Sequence, residues 1–307
     1  MFKKIVALTA ILGLVLVIVG FALTKGDFSV VKASFIKDED YTLMSFEEEK
    51  SITAVDINVT ENNVTFYRSD SEKIKLDYYE AEYDKINYSV TNGKLTITNN
   101  YKSKFKFFNW RVKSDKVAML SVYLPQSFTG SIRTSVTSGE VNIEDFAVES
   151  LDLKLTSGTA TIKDVNVSKN IDFDITSGKV YFTNINCISI TGDITSGNIN
   201  ISNMVASGDA KLETTSGKII INDSEFARID AEATSGTINL TAVKSDAVVV
   251  EVTSGKINIK LIGNKNDYRT VLHIDSGKIY YFDLKVASQT FNPNGSKLLD
   301  ASGNSGT

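Results

Sequence analysis

The chain has 307 residues, a formal charge of −4 and one histidine, which is enough length for a large domain with its own core and excludes a generally basic, nucleic-acid-binding surface. A single cysteine, Cys187, excludes an intrachain disulfide. Nineteen glycines against two prolines, in a chain rich in Val, Ile, Thr, Asn and Tyr, exclude collagen and point to strands joined by tight turns.

The chain opens with Met1-Phe2-Lys3-Lys4 and then an uncharged apolar run of 19 residues, Ile5–Leu23. As a helix this run spans about 28 Å, close to the hydrocarbon thickness of a bilayer. Its length and the poor small-x-small match of Ala22-Leu23-Thr24-Lys25 favour an uncleaved transmembrane anchor over a cleaved signal peptide. Lys3 and Lys4 place the N-terminus inside and everything after Lys25 outside the cell membrane, or in the medium if the segment is cleaved. Residues 1–25 are thus the cytoplasmic tip and anchor, and 26–50, with Asp38-Glu39-Asp40 and Glu47-Glu48-Glu49, read as an acidic connector.

From Ser51 the pattern alternates apolar and polar, as in Val55-Asp56-Ile57-Asn58-Val59, which is a strand period. Residues 51–130 are lead-in strands, 131–282 the repeats, and 283–307 a C-terminal tail. Thr-Ser-Gly recurs with its glycine at Gly139, Gly158, Gly178, Gly197, Gly217, Gly236 and Gly255, and Asp275-Ser276-Gly277 is an eighth copy. The glycine spacings are 19, 20, 19, 20, 19, 19 and 22, and Val90–Ile97, around Asn92-Gly93, is a degenerate ninth copy upstream.

Apolar residues stand two and four positions after each glycine, from Val141 and Ile143 to Ile279 and Tyr281. A second alternation precedes each following turn, for example Ile171-Phe173-Ile175. Each unit therefore reads as turn, strand, short corner, strand. One such unit buries too little to offset the entropy of ordering it, so units must stack. Equal coils that stack make an all-β parallel β-helix of 19–20-residue coils, preceded by one N-terminal transmembrane helix; a β-sandwich needs no constant period. The glycines are expected at corners of positive φ, and the Thr and Ser hydroxyls are expected to form polar ladders along that edge.

These motifs, together with Leu120-Ser121-Val122-Tyr123-Leu124-Pro125, resemble the bacterial putative-adhesin family of β-strand-repeat domains of unknown function, over Ser51 to Tyr281. The resemblance implies a right-handed β-helix-like fold in an envelope protein, and it offers no catalytic residues to carry over.

Enzyme chemistry finds little support in the residue types. His273 reads as a strand-face histidine of the last repeat, and one His with one Cys is too few for a zinc site. Asp275-Ser276-Gly277 matches the short aspartic-protease signature but is a repeat turn. Asp152, Asp172, Asp174, Asp193, Glu213 and Asp230 precede successive turns at differing offsets, so no acidic column is expected. No cofactor motif is present. The segment Asn99–Lys116 differs from the rest: six basic residues against one acid, interleaved with Tyr101, Phe105, Phe107, Phe108 and Trp110. One reading is a hairpin whose lysines guard a sheet edge. The other is contact with anionic lipid or an anionic wall polymer through Lys102, Lys104, Lys106, Phe107, Trp110, Arg111 and Lys113.

Three functions remain open: a non-catalytic envelope module for binding, adhesion or structural contact; an accessory sensor of envelope stress acting through a membrane protein partner; and a polysaccharide-acting enzyme. A strict acidic row on one face would favour the third.

Overall fold

The computed structural model describes residues 41–306 apart from 83, 102–112 and 283. Ile5–Leu23 lies outside the described residues, and among those described no helix is long and apolar enough to cross a membrane. Strands β1 (Thr42–Glu48), β2 (Ala54–Val59), β3 (Asn63–Ser69), β4 (Ile74–Glu80), β5 (Asp84–Thr91) and β6 (Lys94–Tyr101) precede a one-turn helix, α1 (Asp115–Ala118), and β7 (Met119–Pro125). Five coils follow, β8 (Ser131–Val148), β9 (Leu151–Val167), β10 (Asn170–Cys187), β11 (Ser189–Ala206) and β12 (Asp209–Asn222), and β13 (Glu225–Leu261) winds through two more. The last strands are β14 (Tyr268–Gly277), β15 (Ile279–Tyr281), β16 (Leu284–Val286), β17 (Gln289–Phe291) and β18 (Lys297–Gly306).

Alternation decides what each coil buries. In β10 the inward side chains are Ile171, Phe173 and Ile175, then Val180 and Phe182, then Ile185 and Cys187, none more than 8% exposed. The sequence suggested two strands per unit; the coil has three sides. The extra corner lies six residues after each of the first six repeat glycines, where Asp145, Asp164, Asn184, Asn203, Asp223 and Ala242 all have positive φ, between 49° and 60°. Asn and Asp tolerate this conformation better than most residues because their short polar side chains bond locally.

The coils stack in parallel and in strict register, Gly139 on Gly158, Gly178 on Gly197, Gly217 on Gly236. Gly197 has φ 140°, and a Cβ built on it would overlap the Gly178 carbonyl oxygen. The same overlap recurs from Gly158 through Gly255. At these turns glycine is required twice over, for its backbone and for the coil below, except at Gly236, where only the overlap with Gly217 demands it. The expected Thr and Ser ladders do not form: those side chains are exposed and make no hydrogen bond to their equivalents. The side-chain ladder runs along the second corner instead, where Asn184 Nδ2 donates to Asp164 Oδ1 at 2.6 Å and Asn203 Nδ2 donates to Asn184 Oδ1 at 3.0 Å.

Two sheets grow from the coils. On the first side, before the glycine, the order is β5, β6, β2, the coils, then β18, β14 and β17. On the second side, after it, the coils continue through β3, β7 and β4 to β1.

Four readings are corrected here. The supposed connector contains strand β1. The degenerate ninth copy is a hairpin, with Asn92 and Gly93 at φ 51° and 74° between antiparallel β5 and β6, the two-residue turn such a pair favours. The supposed tail supplies β18, which lies between the seventh coil and β14, pairing Gly255 with Gly306 and Gly306 with Gly277. The eighth turn therefore has the expected corner, with Gly277 at φ 140°, but stacks on the C-terminal strand rather than on the seventh coil. Beyond it, Ile279–Tyr281 pairs with Leu284–Val286 in a separate two-stranded sheet instead of winding another coil.

Gly197→Ala is expected to cost several kcal/mol, because it adds strain to a steric overlap with fixed backbone. Gly303→Ala, where a Cβ would meet only the Val252 carbonyl oxygen at 3.3 Å, is expected to cost under about 1 kcal/mol. Gly295 lies outside the repeats, yet a Cβ there would run into the backbone of Tyr268 and Arg269. Denaturant midpoints of the two variants check the contrast.

Candidate functional site

Of the basic aromatic segment, Lys102, Lys104, Lys106, Phe107, Trp110 and Arg111 lie outside the described residues. The flanks are placed: the chain leaves β6 at Tyr101, on the first side, and enters β7 at Met119, on the second. These two flanking strands lie near the N-terminal end of the stack.

Lys113 does not belong to an outward basic face. Its side chain is 3% exposed and its Nζ lies 2.5 Å from Asp84 Oδ2, itself 1% exposed. Tyr41 Oη donates to the same carboxylate oxygen at 3.1 Å. Burial raises the pKa of nearby Glu61, against the opposing pull of Lys113 and with a smaller push from Asp84. The pair joins the start of β5, the end of the basic segment and the beginning of β1. Removing one partner of such a buried pair typically costs about 3–5 kcal/mol. Linear proximity groups Lys113 with the basic set, whereas Asp84, its partner, is distant in sequence.

The coils reveal a feature that the linear reading missed. Asp174, Asp193, Glu213, Glu232 and Glu251 each stand four residues before a repeat glycine. The register stacks Asp174 on Asp193, Asp193 on Glu213 and Glu213 on Glu232. All five point outward, about 4.8 Å apart from coil to coil. Together with Thr195, Thr215, Thr234 and Thr253 they line one shallow groove of about 330 Å³, Asp174 alone standing outside it. The differing offsets noted from the sequence arose from mixing this column with its neighbour, in which Asp152, Asp172, Lys211 and Asp230 stand six residues before the glycine. Burial raises the pKa of Asp193, and the Glu213 and Asp174 charges raise it further, against Lys211.

Other candidates are structural. Burial pushes the Cys187 thiol up to about 11, which disfavours the reactive thiolate. His273 is exposed, with Nε2 3.0 Å from Asp275 Oδ1. Among the described residues no group of three His, Cys, Asp or Glu side chains converges to hold a metal ion.

The family model for Toastrack DUF4097 matches residues 52–306. The chain belongs to the Toastrack DUF4097 family. No curated protein matches it. Among solved structures it is similar to a putative adhesin from Bacteroides fragilis, at 19% identity over 71% of this chain and 97% of the other, with a TM-score of 0.49. It is also similar to a putative cell adhesion protein from Clostridium sporogenes, at 14% identity over 72% and 100% of the two chains, with a TM-score of 0.31. The Toastrack match spans the lead-in strands, all seven coils and β18, so the inserted C-terminal strand lies within the family's domain.

The acidic column yields a test with a defined sign. Folding raises the Asp193 pKa, so ionisation penalises the folded state above that pKa and the penalty vanishes once pH falls below the ordinary carboxylate value. Asp193→Asn is expected to melt higher than the parent at neutral pH, by up to about 1 kcal/mol of stability. The margin should close on acidification through the carboxylate range. A variant less stable at neutral pH would show that the column is held by an attractive partner.

Proposed function

We propose that this Toastrack domain is a non-catalytic binding and structural module of the bacterial envelope, held outside the membrane by the Ile5–Leu23 helix. The observation that supports it most directly is the unbroken register of seven coils around a filled apolar core. Such a stack turns each outward position of the repeat into a rigid row of like groups, suited to presenting a surface rather than enclosing a substrate.

Charge is distributed unevenly along this rod. The strands that flank the basic segment stand at the same end as β1, the described strand nearest in sequence to the proposed anchor. The acidic column occupies the third to seventh coils. An anionic membrane or wall polymer would attract the first end and repel the middle, so the rod would stand off the surface with its N-terminal end down. The contact set is then Lys102, Lys104, Lys106, Phe107, Trp110 and Arg111, without the buried Lys113.

The test uses detergent-solubilised full chain with Lys102, Lys104, Lys106 and Arg111 changed to Gln, sparing the core ion pair. Binding to anionic lipid or purified wall polymer is expected to fall by roughly two to three orders of magnitude, at about 1 kcal/mol per charge. Equal binding by the variant and the parent would return the segment to an edge guard. Membrane topology is checked separately: the protein should stay in carbonate-washed membranes with its C-terminal domain open to external protease. Recovery from the medium, beginning near residue 25, would replace the anchor with a cleaved signal.

The acidic column favours a second reading, a polysaccharide-acting enzyme, because it sets pairs of carboxylates about 5 Å apart along one groove, close to the separation that retaining glycoside hydrolysis employs. Release of reducing ends from wall polysaccharide, abolished by Asp193→Asn or Glu213→Gln, would establish that reading over the first.

A further inference from the structure

The hairpin β15–β16 stands apart from the stack as a two-stranded sheet of its own. Its register pairs Ile279 with Val286, Tyr280 with Lys285 and Tyr281 with Leu284, which leaves Phe282 as the first residue of a two-residue turn. Such turns need positive φ, and Asn-Gly supplies it with least strain. In β5–β6 the same kind of turn is indeed Asn92-Gly93. Here a phenylalanine is held at φ 49°. Among the described residues the other non-glycine positions of positive φ are Asn, Asp and one Ala, so Phe282 is the single bulky side chain in that conformation. A bulky residue there is a local strain, and such strain points to a role other than folding.

Packing does not offset the strain. Phe282 meets Tyr281 edge-on, with ring centroids 4.7 Å apart, yet it remains 62% exposed, and Leu284 is 70% exposed. With the half-exposed Tyr280 they present roughly 400 Å² of apolar surface. Tyr281 stacks on Phe291, centroids 4.2 Å apart, which holds the hairpin in place without covering its tip. Lysines surround these side chains. Lys265 Nζ lies 5.0 Å from the Phe282 ring centroid, Lys285 is the cross-strand partner of Tyr280, and Lys278 precedes the first strand; all three are exposed. The hairpin's one acidic residue, Asp283, lies outside the described residues. A protein partner ordinarily needs about 800 Å² on each side, which this tip does not offer. A lipid surface needs less: aromatic rings and leucine enter the headgroup boundary while lysines reach the anionic phosphates.

We propose that the β15–β16 tip is a lipid-contact site, in which Phe282, Leu284 and Tyr280 enter the interface of an anionic bilayer and Lys265, Lys278 and Lys285 bind its phosphates. This contact is separate from the basic segment between β6 and β7 and does not rest on the function proposed above.

The test carries the full chain in phosphatidylcholine nanodiscs and offers it separate vesicles of phosphatidylcholine mixed equally with phosphatidylglycerol. Phe282→Trp in a Trp110→Phe background puts the only indole at the tip. Its emission is expected to shift to the blue on these vesicles and to be quenched by brominated acyl chains, with neither change on pure phosphatidylcholine. The probe reads the tip alone, so contact through the basic segment neither supports nor hides the result. Changing Lys265, Lys278 and Lys285 to Gln, with the same probe, should weaken the tip's partitioning by about a hundredfold. Phe282→Asn, tested without lipid, should melt no lower than the parent, since Asn suits the turn better. An indole left unquenched, quenching indifferent to lipid charge, or a destabilised Phe282→Asn would each overturn the proposal. So would a dimer in solution that Phe282→Asn dissolves, which would assign the tip to a second copy.

Discussion

The structure depends on a single close approach. At the Thr-Ser-Gly corner, the carbonyl oxygen of one coil occupies the space where the next coil's glycine would carry a Cβ. Backbones in contact at that distance allow only one vertical alignment, and every other position of the coil inherits it. The inward rows of Ile, Val, Leu and Phe meet their own kind above and below, so the core is a continuous apolar column rather than a series of separate clusters. The outward rows inherit the same alignment whether or not it favours them. Asp193 is the clearest example, held between two other carboxylates by a register fixed at a glycine four residues away.

Most of the fold could be read from the chain because it is written in a period. Glycine spacing located the coils, and alternation located most of their inward faces. The third side was missed because its signal is chemical rather than hydrophobic: Asp or Asn occupies five of the six corner positions, and Ala242 breaks the series. The acidic column was equally present but was counted along the chain instead of from the glycines. Other features could not be found this way. Nothing local to Lys113 announces Asp84, and nothing in the tail's composition shows that Lys297–Gly306 pairs on both of its edges. Those relations depend on long-range topology, which a repeat pattern does not encode.

The two ends of the rod are finished differently. At the N-terminal end, the hairpin β5–β6 and the antiparallel strands β4 and β1 close both sheets over the first coil, and the Asp84–Lys113 pair fastens their junction. At the other end only the first side is extended. Ile262, Tyr280, Phe282 and Leu284 are left more than half exposed there, whereas repeat stacks ordinarily finish in a polar cap. The described residues at the two ends thus differ in how much large apolar side chain they leave exposed.

The position of β18 also separates the order of synthesis from the order of stacking. Each coil from the first to the seventh can settle on its predecessor as soon as it leaves the ribosome, since its neighbour below has already been made. β14 has no such neighbour. The strand that must lie beneath it is translated about twenty residues later, so β14 through β17 wait as an unsupported flap until Lys297–Gly306 arrives. An emerging chain of this kind grows its coils progressively, whereas β14 takes its place in the stack only once β18 has been made.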